Sequence, residues 1–277
     1  MGNKLAIIIL DGMSYSILDS VFKLDWMPYL KLLSEEGTNL QMQSDIPLTG
    51  SAWAAMVTGL KPFKSGFNAS RSIKKDYSIC KRTISTKTVW NILNDNGKKT
   101  GIFNAPNINP IQEIDGFLVC GKGAPSKERN FTYPHEIKDM LFQIWEGKEN
   151  YKIDINKLKY RENVPGLIAQ VINVNKKNVE SSVNLIEKYD PDLFMGFFTE
   201  TDKLFHVVYN YITESATHDI QKSLKSLFGV LDNNIKKIFE SFDNSVDKII
   251  ISDHGFGKLD YRFNLEQWLV DNNYMQI

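Results

Sequence analysis

Apolar runs that end in carboxylates constrain this chain more than any other feature. Leu5-Ala6-Ile7-Ile8-Ile9-Leu10 runs into Asp11-Gly12, and the apolar stretch 193–198 runs into Thr199-Glu200-Thr201-Asp202. Ile249-Ile250-Ile251 runs into Ser252-Asp253-His254-Gly255. Strand-length runs without polar alternation read as strands buried on both faces, the pattern of a parallel sheet between helices. Open α/β sheets bind ligands at the carboxyl ends of their strands. These runs therefore deliver polar side chains to one edge.

The segments between the runs support that class. Helices are expected at 28–35, with Pro28 suited to a first turn and Gly37 as the stop, and at 51–58, closed by Gly59 with Pro62 beyond. Further helices are expected at 87–96, 178–188, 203–211 and 220–242, and short strands at 100–103 and 116–119. Residues 38–44 alternate like another strand. Strands interleaved with helices predict an α/β fold, a mostly parallel sheet with helices on both faces. The polar stretch 121–175, with one helix expected at 134–145, reads as a cap over the sheet edge within a single domain spanning 1–277.

Composition narrows the partners. The chain has 277 residues, 42% of them hydrophobic, enough for a sizeable core. Its 33 basic and 33 acidic residues balance, which removes the electrostatic case for nucleic acid or an anionic membrane. No apolar run reaches membrane-span length, and the N-terminus carries no signal-peptide core. Cys80 and Cys120 form no C-x-x-C motif and read as reduced structural thiols, which points to the cytoplasm. Oligomeric state leaves no trace in the sequence.

Four places carry potential chemistry. Asp11 alone reads most simply as a turn or capping residue. Thr49, just before a short helix, could cap it; at a helix N-terminus it could also face a phosphate, and a metal ion would turn its hydroxyl into a nucleophile. Asp202 and His206 stand four residues apart and share a helix face, so both could ligate one ion or simply pack. Glu200 reads as a supporting or structural carboxylate. Asp253-His254 could be an ordinary polar strand end. Together these bland readings fare worse, because polar groups converging at one edge are costly unless paired or metal-bound. Two divalent ions about 3.5–4 Å apart would suit the set and clamp a displacement at phosphorus.

The ordered set Asp11, Thr49, Asp202 with His206, and Asp253-His254 resembles the alkaline phosphatase superfamily, most of all its type I phosphodiesterase/nucleotide pyrophosphatase branch. The text after Thr49 is similar too: Thr58-Gly59-Leu60-Lys61-Pro62 followed by Gly66 matches the family's T-G-x-x-P-x-x-x-G run, and Trp53 stands where related bacterial phosphohydrolases carry a Trp. The likeness covers residues 5–66 and 192–269. It implies a phosphohydrolase for a small-molecule phosphate ester. Asp11, Thr49, Asp253 and His254 would surround one divalent ion, and Asp202 and His206 would hold a second. Zinc suits these ligands, with manganese as the alternative. Thr49 would attack phosphorus and form a phospho-threonine.

Two departures accompany the resemblance. No histidine follows His254, so the family's last His ligand is absent, and the chain is expected to be incomplete at its C-terminus. The family's Asn falls near Ser70, and Asn68 is out of register with it. An alternative is a degenerate or truncated member that binds a metal or phosphate ligand without turnover. A sulfatase is disfavoured because 49–53 lacks the C/S-x-P-x-R motif, and a phosphomutase would use Ser.

Overall fold

The computed structural model describes residues 4–62, 64–65, 67, 71–73, 79–81, 84, 86–108, 110–123, 130–152, 154–156, 160, 162–214, 216–242 and 246–276. Gly66, Asn68 and Ser70 lie outside the described residues.

The apolar runs become strands β1 (Leu5–Leu10), β7 (Leu193–Phe198) and β8 (Asp247–Ile251), and the short predicted strands become β4 (Thr100–Ala105) and β5 (Gly116–Cys120). With β6 (Thr132–Tyr133) they form one sheet, ordered β6-β5-β4-β7-β1-β8. All neighbours pair in parallel except β5 and β6, which are antiparallel. Every residue of β4 and β7 is buried. Successive side chains of a strand point to opposite faces, so both faces of the sheet's centre are covered. A separate two-stranded ladder joins β2 (Arg71–Ile73) to β3 (Ile79–Lys81).

Register aims the strand ends. Leu10 pairs with Phe198 and Ile9 with Ile251. Continuing each strand in step sets Asp11 level with Thr199 on one side and with Asp253 on the other. The adjacency of two carboxylates from distant sequence thus follows from parallel pairing.

Most predicted helices form: α2 (Pro28–Glu36), α3 (Thr49–Thr58), α4 (Val89–Asp95), α5 (Ile137–Ile144), α7 (Glu200–Thr213) and α8 (His218–Glu240). Three differences carry a physical reason. Helix α1 (Tyr15–Lys23) was not expected, although Ile17 and Val21, both buried, mark its inner face at helical spacing. Helix α6 runs over Val164–Tyr189, far longer than 178–188. Its start is set by Asn163, whose side chain accepts from the Gly166 amide at 2.9 Å, with Pro165 in the first turn. Leu167, Ile168, Val171 and Val174 then bury an apolar stripe inside a stretch that reads as polar on average. Residues 38–44 form no strand, and Leu40 and Met42 are exposed there: the alternation lacks a neighbouring strand to pair with. A final helix, α9 (Leu265–Asp271), buries none of its residues.

Helix α3 is anchored by Trp53, which is fully buried, stacked on Trp90 with ring centroids 6.2 Å apart and edge-on to Phe197 at 5.1 Å. Trp53 lies one helical turn beyond Thr49, so this packing also fixes the residue aimed at the sheet edge. Trp53→Ala is expected to cost about 3–5 kcal/mol through lost burial and a residual cavity. Urea unfolding measures this, and a loss under about 1 kcal/mol would contradict the anchoring role.

Candidate active site

Asp11, Thr49, Asp253 and His254 meet at the carboxyl edge. The His254 Nε2 lies 3.2 Å from Asp11 Oδ1 and 3.6 Å from Asp253 Oδ2. Thr49 Oγ1 lies 3.3 Å from His254 Nε2 and 3.4 Å from Asp11 Oδ1. The Thr49 hydroxyl does not cap α3; Leu48 is the N-cap residue and no side chain caps the helix. That hydroxyl faces the carboxylate and imidazole instead.

The backbone holds these groups in place. His254 Nδ1 donates to the Gly255 carbonyl at 2.9 Å, which turns Nε2 toward Asp11 and Thr49. The Gly12 amide donates to Asp253 Oδ1 at 3.3 Å. Thr201 Oγ1 reaches the Asp11 carbonyl at 2.7 Å and the Phe198 carbonyl at 3.1 Å, tying the ends of β1 and β7 together. Gly12 has φ +74°, a conformation that disfavours side chains. A Cβ there would lie 3.2 Å from the Phe256 ring, 3.6 Å from His254 Cε1 and 3.7 Å from the Asp202 Cα. The positive φ, with the close Phe256 ring, is what favours glycine at this point, where the Asp202 helix and the Asp253-His254 loop come together.

Electrostatics mark this cluster as unsatisfied. Burial and then the Asp11 charge push the Asp253 carboxyl up to about 7, against the opposing pull of His254. Burial works against a charged His254, but the hydrogen bond to Asp11 and the Asp253 charge outweigh it and lift the imidazole to about 9. Asp11 Oδ2 and Asp253 Oδ2 are buried without a hydrogen-bond partner. Orphaned buried carboxylate oxygens call for a cation. Among the described residues, Asp11, Asp253 and His254 are the one group of three such side chains whose ligand atoms lie within 4.8 Å of one another. Their two oxygens and one nitrogen fit a divalent ion.

The Asp202–His206 pair lies on α7. His206 Nε2 is 3.3 Å from Asp202 Oδ1, and Lys203 Nζ is 3.2 Å from Asp202 Oδ2. Burial raises the Asp202 pKa, but His206 and Lys203 outweigh it and leave it well below the usual carboxylate range. Phe256 packs edge-on against the His206 ring, centroids 5.0 Å apart. Glu200 is turned away into a buried amide network, its Oε1 accepting from Asn175 Nδ2 at 2.8 Å. Burial raises its pKa against those hydrogen bonds, so Glu200 is a structural group. Sequence reasoning passed over Gly12, Thr201 and Lys203. Gly12 and Lys203 each adjoin a marked residue, which is the signal that could have found them.

A mostly parallel sheet that gathers two carboxylates, an imidazole and a helix-borne hydroxyl at its carboxyl edge defines an alkaline phosphatase-like α/β protein. More narrowly, the description type I phosphodiesterase / nucleotide pyrophosphatase matches residues 5–277, and the chain belongs to that family. Among solved structures, phosphonoacetate hydrolase from Sinorhizobium meliloti 1021 matches in its complexes with phosphonoformate and with phosphonoacetate. Each has a TM-score of 0.61 and 14% identity, over 91% of this chain and 57% of that one. At this identity the likeness is one of fold, and the chain spans little over half the length of that hydrolase. No curated protein matches the chain. Among the described residues no helix is long and apolar enough to cross a membrane.

Proposed function

We propose that the protein is a metal-dependent phosphohydrolase acting on a small-molecule phosphodiester or phosphonate-like ester, with Thr49 as nucleophile. The observation that carries this reading is the Thr49 hydroxyl, which leaves its helix uncapped and faces Asp11 and His254 beside two orphaned carboxylate oxygens. Asp11, Asp253 and His254, with Thr49, would hold one divalent ion. Asp202 and His206 would ligate a second. Mixed oxygen and nitrogen donors suit zinc, with manganese as the alternative. A bound ion would stabilise charge on the phosphoryl oxygens and favour the ionised Thr49 hydroxyl.

The chain's own residues carry the rest. Thr49 Oγ1 forms a bond to phosphorus as the bond to the ester's leaving oxygen breaks, and that oxygen takes a proton from solvent. With His254 Nε2 and Asp11 Oδ1 given to the ion, the Thr49 proton would pass to solvent as the hydroxyl ionises. Water then cleaves the phospho-threonine, which frees the phosphate product and restores the hydroxyl. Within 121–175 the cap role falls to the stretch around Asp154, 3.8 Å from Lys203 beside Asp202, since β6 joins the sheet and the start of α6 packs into the core. A buried, unpaired Cys120 suits a cytoplasmic protein.

A second reading, metal or phosphate binding without turnover, is favoured by Lys203, whose ammonium takes one oxygen of Asp202. One assay separates the two. Hydrolysis of bis-p-nitrophenyl phosphate with added zinc or manganese is expected, falling at least about 100-fold after chelation and returning with metal. Metal binding with no turnover under any ion would leave the second reading standing.

A further inference from the structure

We propose that Asn175 and Glu200 form a buried strut which, through Thr201, positions Asp11 for its metal ion. The inference rests on the metal-dependent reading of the site and extends it to positioning residues that face away from the ion.

Helix α7 begins at the carboxyl edge, directly after β7, and no side chain caps it. Its first turn is held from the side instead. Glu200 is buried, and its Oε1 accepts from Asn175 Nδ2 at 2.8 Å and from Asn178 Nδ2 at 3.5 Å. These two asparagines are buried as well, and three residues apart they share one face of α6. Asn175 Oδ1 in turn accepts from Asn234 Nδ2, on α8, at 2.7 Å. The Asn175 amide is therefore gripped at both ends, and through it α6, α7 and α8 share one fixed point.

The next residue carries that fixed point to the site. Thr201 is fully buried, with its Oγ1 2.7 Å from the Asp11 carbonyl and 3.1 Å from the Phe198 carbonyl. The Asp11 amide donates to the same Phe198 carbonyl at 3.2 Å. Both backbone groups of Asp11 are thus held by the junction of β7 and α7, and the aim of its carboxylate depends on where the first turn of α7 sits. Stability alone does not call for this arrangement. Among the described residues the side-chain partners of Glu200 are neutral amides. A carboxylate buried among amides is expensive, and well-packed apolar side chains serve a core as well or better. The strut supplies a set position for Asp11 instead, and groups that orient a metal ligand are typically worth about 10- to 100-fold in metal affinity.

Calorimetric titration of the whole chain with zinc, read beside urea unfolding, tests this. Asn175→Leu removes both hydrogen bonds at similar volume and should weaken zinc binding about tenfold or more. Asn175→Ala takes its place where the leucine variant does not fold. Thr201→Val keeps the side chain's shape, cuts the same path at its last link and should weaken binding to a similar degree. In the double variant the two losses should not multiply, because the second cut falls on a path already broken. Leu185→Ala is the control. It lies in α6 about 15 Å from Asn175, ten residues on. It removes buried apolar contacts, so it should lower stability and leave zinc affinity unchanged. Zinc affinity unchanged in the Asn175 or Thr201 variant, losses that multiply, or an equal loss in Leu185→Ala overturns the strut while leaving the metal reading in place. A wild type that binds no zinc overturns the metal reading and the strut with it.

Discussion

Thr49→Ala is expected to lower turnover of bis-p-nitrophenyl phosphate by on the order of 10³-fold or more, because loss of a covalent nucleophile leaves only binding and electrostatics to act. The fold should not notice. Thr49 caps nothing, and among the described residues its hydroxyl meets Asp11 and His254. Alanine suits a helix interior, so stability should change by about 0.5 kcal/mol or less. Thr49→Ser keeps the attacking oxygen and should retain measurable turnover. Rapid quenching followed by mass spectrometry should detect phosphate on the peptide holding Thr49 in the wild type and not in Thr49→Ala. Equal rates for the wild type and Thr49→Ala would sink the nucleophile assignment.

What the sequence made legible was the material buried on two faces. Leu5–Leu10 and Leu193–Phe198 lie at the sheet's centre, where both faces are covered, and such strands must be apolar throughout. The approach of Asp11 to Asp253 then followed from strand register, which no local pattern records but parallel pairing enforces. Helix α6 was hidden because its first half carries its apolar residues as a stripe within a polar composition, and only the spacing of Leu167, Ile168, Val171 and Val174 reveals it. Residues 38–44 misled for the opposite reason: alternation describes a side-chain pattern, whereas a strand also needs a partner backbone. In the candidate site, Asp and His residues announce themselves by type. Lys203 did not, because a lysine after an aspartate ordinarily points to solvent; here Asp202 and Asp154 draw its ammonium inward. Gly12 likewise shows its purpose only when three segments converge on it.

Asp253→Asn should separate the stability of the metal-free protein from its capacity to hold metal. Asp253 has a folded-state pKa of about 7, above the ordinary 3.8. Ionising it in the folded protein is therefore penalised, and the metal-free protein loses stability as pH rises from about 4 through 7. Asparagine removes that loss while keeping an oxygen for the Gly12 amide. At pH 8 the metal-free variant should be more stable than the wild type by about 1–3 kcal/mol, and near pH 4 the two should converge. The imidazole modifies this in a defined direction. The raised pKa of His254 contributes stability that is full below about 6.5 and disappears as pH rises through about 9, and part of that gain comes from the Asp253 charge. Zinc should shift the balance toward the wild type by about 2.3 kcal/mol, the difference between their gains on binding it. At a concentration 100 times the wild-type Kd the ion stabilises the wild type by about 2.7 kcal/mol. If the lost carboxylate weakens binding about 100-fold, the variant gains only about 0.4 kcal/mol at the same concentration. Denaturant unfolding at pH 4 and pH 8, with and without zinc, reads all of these quantities. Equal stabilisation of both proteins by zinc would show that Asp253 does not hold the ion, because binding that ignores the lost carboxylate does not use it.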